Sequence, residues 1–572
     1  MRRSKVLLVA ACLVSPMVVS VSPVSATAAS PSILPAVAAV TVPAGASKYV
    51  AVAPLRLADT RPSSSNRGVF VQLSGDTIKV PILGRAGVPA NASAAVLNVT
   101  IAGSSSWSYV TVYPGATALP DTSSQNADGQ GRVIANLVHV KIGADGAANV
   151  YRSAPMGLVI DLVGVYVPVT TAPNDGRLVT RAGGAFRVFD SRGSRPVNAT
   201  ETTTVDVTSA GVPRDASAVV VNITAVTAYP GYWSAFPDGQ PSTETSSLNI
   251  DADGQTRAGQ AIVNLVGTNK FKVYSDAGGH LLVDVVGYFT GLAEPSASID
   301  GLYVPSAPGR VFDSRKLRLL APWGGSTYEF NSGNGGLSVA AAVLNITAVS
   351  PWAPGFVTAY PAGVARPNSS NLNISSVPQT IANHAIVRVS TRGVALFTDG
   401  GAHLVADVAG WYLGTPSTAT QPKPVNPVYE PNSAVAVAVP KIGVYVGVKA
   451  GGGSLDHIAD RGYAATWSDI NTVAAPGNLM LFGHRTEGSA PFRHLDDMSL
   501  GDEFIVVGSD GRRYHYQVTD IGVATPSYSQ IQTMANPYGP ITAQLVACSK
   551  LDGTATSLAY RLVVTGRLTS IS

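Results

Sequence analysis

Three side chains near the C-terminus, Cys548, His484 and Arg561, are of the types that acyl transfer needs. A free thiol, with a pKa of about 8.5, is only slightly ionised at neutral pH and needs activation. A neighbouring imidazole can take its proton or stabilise the thiolate, and can later protonate a leaving amine. A fixed guanidinium can support the negative oxygen that forms when a carbonyl is attacked. Cys548 is one of two cysteines, and the other, Cys12, falls in a segment with the layout of an export signal. An exported chain therefore holds one thiol. It cannot form an internal disulfide, so it is either inert and buried or reactive.

Such groups must be held by rigid elements. Residues 477–485 read as an apolar strand ending Gly483-His484-Arg485, and residues 541–548 as a strand delivering Cys548 at its end. Residues 560–566 place Arg561 at the start of a third apolar run. Between them, Pro491-Phe492 and Leu500-Gly501-Asp502 precede strands at 504–507 and 514–518. His494 and His515 compete with His484 for the acid/base role. The first reads as part of a helical turn, and the second as a face residue between Tyr514 and Tyr516.

The order Gly-His-Arg, Pro-Phe, Leu-Gly-Asp, Leu-x-x-Cys and Arg-Leu-Val-Val resembles the sortase family over about residues 440–570. The separations 548 − 484 = 64 and 561 − 548 = 13 fit it as well. The resemblance implies a closed β-barrel with short helical turns. It makes Cys548 the nucleophile, His484 the acid/base partner and Arg561 the group positioning substrate or oxyanion. It further implies transpeptidation at a Leu-Pro-x-Thr-Gly-type sorting signal, with transfer to an amine of a wall precursor or a pilin Lys. Gln544 and Ala547 stand where the family commonly has Thr. L,D-transpeptidases usually carry Ser-x-Gly-Cys, which Val546-Ala547-Cys548 does not match, and papain-like enzymes place Cys before His. The alternative is a non-catalytic surface protein with a degenerate sortase domain.

Upstream, one unit occurs three times. Each copy opens with Arg-apolar-x-Asp-Ser/Thr-Arg, at Arg56/Asp59/Arg61, Arg187/Asp190/Arg192 and Arg310/Asp313/Arg315. Each has a strand ending Asn-Val/Ile-Thr, at Asn98, Asn222 and Asn345, and closes on Asp161, Asp284 or Asp407 followed by Gly and an aromatic residue. The closing motifs recur regularly, since 284 − 161 = 123 and 407 − 284 = 123. Units of about 120 residues exceed most solenoid repeats and can bury their own cores. The reading is a mainly β chain: three tandem β-sandwich-like repeats at 48–170, 176–292 and 300–414, a Pro-rich linker at 415–432, and a sortase-like closed barrel at 433–572. The linker is expected to be an extended spacer with almost nothing to bury.

In the repeats, the Arg and Asp residues are expected to form ion pairs that pin the first strand, rather than to bind a metal or an anionic sugar. The strand Asn residues should satisfy local backbone groups, and His280 and His403 should be surface residues. Leu119-Pro120-Asp121-Thr122-Ser123 nearly matches a sorting signal but reads as structural. As a whole, residues 48–414 resemble modules on exported actinobacterial proteins, which implies a surface setting and a stalk or cell-wall-polymer-binding role.

Composition agrees with a β-rich, extracellular chain: 57 Gly and 39 Pro in 572 residues, 45% hydrophobic but 13% charged. Arg2, Arg3 and Lys5 precede an apolar run at 6–21 and the small-residue site Ala26-Thr27-Ala28, so residues 1–28 read as a signal peptide. An uncleaved anchor and a lipoprotein box at Cys12 are the rivals. Cleavage leaves 39 − 3 = 36 basic against 35 acidic residues. With no basic stripe, a nucleic-acid partner is not expected. No His/Cys cluster or Asp-rich loop suggests a metal or other cofactor.

Overall fold

The computed structural model describes residues 41–572 apart from 242–244, 317–324, 352–353, 377–378, 425–431, 453–454, 469–471, 474–477, 526–540 and 555–558. Residues 1–28, expected to be a signal peptide, lie outside the described residues. Among those described, no helix is long and apolar enough to cross a membrane. The chain is mainly β, with 54% strand and 4% helix.

Each repeat folds as two packed sheets with its own core. The inner strand of the first repeat, Ala94–Ala102, is buried at every position but the last. Alternate side chains serve two cores, as the twofold period of a strand allows. Leu97, Val99 and Ile101 fill the sandwich, whereas Ala94 and Val96 enter a second cluster shared by all three repeats. At the centre of that cluster Tyr49, Leu178 and Tyr303 pair across strands with Tyr166, Phe289 and Tyr412. Tyr49 stacks on Phe289 at 4.2 Å, and Tyr166 lies 4.4 Å from Tyr303. The inner sheets of the first and third repeats are also joined edge to edge through Ser47 and Tyr303. The sandwiches are therefore not independent beads; they close around one axial aromatic core. The glycine of the closing motif belongs to this packing. A Cβ on Gly164 would lie 2.4 Å from the Tyr49 ring, and one on Gly410 2.6 Å from the Tyr303 ring.

The opening and closing motifs meet. Arg56 pairs with Asp59 and Asp161, Arg187 with Asp190 and Asp284, and Arg310 with Asp313 and Asp407. Arg61, Arg192 and Arg315 hold the opening aspartates at 2.6, 2.7 and 2.8 Å. Ion pairing accounts for these residues, and it ties the first strand of each repeat to the last. Two expectations change. Two of the three strand asparagines are not satisfied locally: Asn98 donates to the Ser246 carbonyl and Asn345 to that of Ser123 at 2.6 Å, both in another repeat. His280 and His403 are half-buried and face Ser191 and Ser314 at 3.1 and 3.4 Å rather than lying free on the surface. The Leu119–Ser123 near-match is structural: the Thr122 carbonyl accepts from Thr111 at 2.6 Å, and that of Asp121 from Arg310 at 3.1 Å.

The linker is shorter than its Pro content suggests. Ser417 accepts from Arg388 at 2.9 Å, and the Thr420 and Gln421 amides both donate to the Gly363 carbonyl at 2.8 Å. Residues 415–422 are thus strapped onto the third repeat. Proline removes donors but leaves its neighbours' amides free to bond.

The last domain is a closed barrel of eight strands. Asn432–Val439 pairs with Val444–Gly451 and closes the ring, which continues through Ala464–Trp467, Asn478–Phe482, Thr542–Ser549, Tyr560–Ile571, Arg513–Ala524 and Glu503–Gly508. Phe492, Phe504, Leu545 and Val564 are among the side chains that fill it, all fully buried.

Candidate active site

Three neighbouring strands of the barrel carry the three residues. Thr542–Ser549 lies between Asn478–Phe482, to which it is parallel, and Tyr560–Ile571, to which it is antiparallel. Cys548 sits directly opposite Arg561 in the antiparallel register. On the other side Phe482 pairs with Val546, and the Gly483 amide donates to the Val546 carbonyl at 3.0 Å. His484 follows two residues after the end of the strand that neighbours the Cys548 strand. The fold sets Cys548 opposite Arg561 and puts His484 just past the end of the strand on the other side of Cys548's own.

Alternation also sets the face. Ala543, Leu545 and Ala547 enter the barrel core, whereas Met480, Val546 and Val563 form a separate apolar cluster outside it, flanked by Phe482 and Ala524. Cys548 and Arg561 lie two residues from Val546 and Val563, so they share this outer face. The cluster makes an apolar floor beside a half-buried thiol. Trp467 packs edge-on against Phe482 at 4.8 Å and extends the wall.

The loop after His484 is fixed from below. A Cβ on Gly483 would lie 2.6 Å from the ring of Phe492, which is fully buried, and the Phe492 amide donates to the His484 carbonyl at 3.0 Å. That contact explains why Gly-His and Pro-Phe occur together. The Asp of Leu-Gly-Asp braces the barrel rather than the site. Asp502 pairs with Lys441 at 2.7 Å and accepts from the Ser499 amide at 2.6 Å. The Lys441 ammonium and that amide hold its carboxyl below the usual range.

Two further residues had no role assigned from sequence. Asp460, following the one-turn helix Asp456–Ala459, faces His484 Nε2 at 3.0 Å. A carboxylate only accepts, so Nε2 carries a proton there, and in the neutral ring Nδ1 is left as the acceptor. Arg485 is 1% exposed. It donates to the Gly553 carbonyl at 2.8 Å, reaches the Cys548 carbonyl at 3.5 Å and pairs with Asp496 at 2.6 Å. A buried cation thus supports the chain on both sides of 549–552. The Gly-His-Arg motif contained Arg485, but the carbonyls it meets, those of Cys548 and Gly553, lie more than 60 residues away. Asp460 had no local signal. Asp460, His484 and Glu487 also bring donor atoms within 4.8 Å of one another, but both acids are exposed, and proximity alone does not make this cluster a cation site.

The rival histidines lie elsewhere. His515 binds Glu503 at 3.1 Å and Ser572 at 2.9 Å, and its strand partner is Ser570. Nine positions separate Ser570 from Arg561 on that strand, roughly 30 Å of extended chain. His494 is exposed and lies 3.6 Å from Asp497.

The family model described as "Sortase domain" matches residues 437–569. Residues 437–569 are a sortase domain. Sortases are cysteine transpeptidases, and the domain is of that enzyme class. Solved structures similar to it include sortase C1 of the group B Streptococcus (GBS) pilus island 1, at 21% identity over 24% of this chain and 65% of that one, with a TM-score of 0.21. Sortase E1 from Streptomyces coelicolor, with a tripeptide in its active site, is 23% identical over 24% of this chain and 90% of that one, TM-score 0.21. The SrtA sortase from Actinomyces oris is 20% identical over 26% of this chain and 87% of that one, TM-score 0.22. Among curated proteins none matches the chain.

Proposed function

We propose that this protein is an exported sortase that cuts a Leu-Pro-x-Thr-Gly-type sorting signal and joins the acyl fragment to an amine. The observation that supports the reading is the register: Cys548 stands opposite Arg561 on one side, and the strand on its other side ends two residues before His484. The Cys548 thiolate attacks the Thr carbonyl carbon, and the negative oxygen that forms is supported by Arg561. As the Thr–Gly bond breaks, protonated His484 gives its proton to the leaving amine, and a thioester remains on Cys548. An incoming amine, from a wall precursor or a pilin Lys, attacks that thioester and loses its proton to His484, and the thiolate departs. The apolar floor of Met480, Val546 and Val563 suits the Leu-Pro part of such a peptide. Asp460 holds the His484 ring in one tautomer and orientation.

The export layout of residues 1–28 supports a secreted, cell-wall- or membrane-surface-associated setting, with the repeats acting as a stalk or as wall-polymer-binding modules. The test is incubation of the chain with a library of Leu-x-x-Thr-Gly peptides and an amine, followed by mass spectrometry. The reading expects an amine-capped product that Cys548→Ala abolishes. A folded wild-type protein that processes none of the peptides would overturn it.

A further inference from the structure

The clefts between repeats are related by the internal threefold, yet they are not alike. Between the first and second repeats Asn98 clasps the Ser246 carbonyl, and the cavity there is about 50 Å³. Between the first and third, Asn345 clasps the Ser123 carbonyl, and the cavity is about 30 Å³. Between the second and third the cavity is about 180 Å³. The equivalent residue in that cleft, Asn222, makes no clasp. Its Oδ1 accepts from Gln260 at 3.0 Å, and its amide nitrogen has no partner among the described residues. Asn222 is only 2% exposed and lines the cavity.

A length difference accounts for the opening. Seven positions separate Tyr49 from Arg56 and Tyr303 from Arg310, but nine separate Leu178 from Arg187, since 187 − 178 = 9. The second repeat therefore has two extra residues in 182–185, Ala-Gly-Gly-Ala, and this segment forms a wall of the cavity.

The chemistry of the cleft is cationic. Arg181 and Arg388 line it, and no lining residue is acidic. Arg181 donates to the Ala210 carbonyl, lies over the Phe186 ring at 4.6 Å and has a buried Nε without a hydrogen-bond partner. Arg388 donates to the Ser417 hydroxyl at 2.9 Å and the Thr180 carbonyl at 3.5 Å. Neither forms an ion pair among the described residues, in contrast to Arg187 and Arg310 of the same two repeats. Two half-buried guanidiniums with only neutral acceptors favour an anion between them. The Tyr360 ring and Pro361 add a flat apolar wall of the kind a sugar ring packs against.

We propose that this cleft binds one acidic sugar unit of an anionic polysaccharide, its carboxylate or phosphate between Arg181 and Arg388 and a ring oxygen or hydroxyl on the Asn222 amide. The site gives a ligand to the polymer-binding role proposed for the repeats; it rests on that reading and not on the sortase chemistry.

The test is calorimetric titration of the full chain with glucuronate, glucose 1-phosphate and neutral glucose. One site per chain is expected for an acidic sugar, with no saturable binding of glucose; whichever acid binds identifies the anion. Arg181→Gln and Arg388→Gln should each weaken binding about tenfold or more, as loss of a charged hydrogen bond does. Arg214→Gln, an exposed arginine of the same repeat, should change nothing. Stoichiometry on the wild-type protein keeps the test sound if a variant misfolds: no binding of either acid, equal binding of glucose, or three equal sites would overturn the proposal. Binding of free acidic sugar without retention on glucuronan-coated beads would sustain the anion site and remove the polymer-binding role.

Discussion

Replacing Arg485 with methionine tests whether a buried cation supports the strand end that carries Cys548. Methionine keeps much of the aliphatic stem, so the packing loss is small. The guanidinium bond to the Gly553 carbonyl is the main loss, at about 1.5–3 kcal/mol for a charged donor. Asp496 is 43% exposed, so its pairing adds at most about 1 kcal/mol after screening. The sum is roughly 2–4 kcal/mol. For a barrel of this size that corresponds to a fall in Tm of roughly 6–15 °C. Brief proteolysis during heating, read as loss of the C-terminal fragment, follows the barrel transition apart from that of the repeats. Turnover of a sorting peptide should fall with it, because the segment after Cys548 loses its anchor, and Arg485→Lys should recover part of both. A variant whose transition moves by less than about 2 °C and whose kcat/KM stays within twofold of wild type would refute the reasoning.

The remaining predictions use other contacts. In folded protein at neutral pH, His484→Ala should slow labelling of Cys548 by an electrophile; equal rates would show that the imidazole does not assist the thiol. Gly483→Ala forces a Cβ against the buried Phe492 ring and should destabilise the barrel by about 1–3 kcal/mol, checked by urea unfolding. His139 and His384 stack at 4.8 Å on the axis of the repeats. Burial lowers both their pKa values, that of His384 to about 3. Both are then neutral in the fold, while the unfolded chain protonates below about 6.5. Their stability contribution is complete above that pH and falls as pH drops, by about 3 kcal/mol for His384 at pH 4. His384→Leu, which copies Leu137 at the equivalent strand position, should flatten this dependence in urea midpoints between pH 7 and 4; an unchanged slope counts against it.

Much of the site was legible because sortase chemistry needs rare residue types at strand ends. A single thiol beyond the N-terminal segment, a Gly-His pair closing an apolar run and an Arg opening another stood out against a background with only 13% charged residues. The turn and strand rhythm likewise gave three β repeats and a barrel. What stayed hidden were partners far apart in the chain. Asp460 meets His484 across 24 residues, and Arg485 meets Gly553 across 68. Asn98 and Asn345 looked local, yet they cross between repeats because the inner sheets are buried on both faces and leave no water to satisfy them.

By itself, then, the sequence determined the element types and the threefold repetition and offered Cys548, His484 and Arg561 as candidates, since periodicity, turn residues and functional-group chemistry are properties of short stretches. Tertiary structure alone decided that Cys548 faces Arg561 in register, that three sandwiches share one aromatic axis, and that one of three related clefts stays open. Those outcomes depend on which strands pair and on a two-residue difference in one loop. Both are settled only when distant segments compete for the same buried surface.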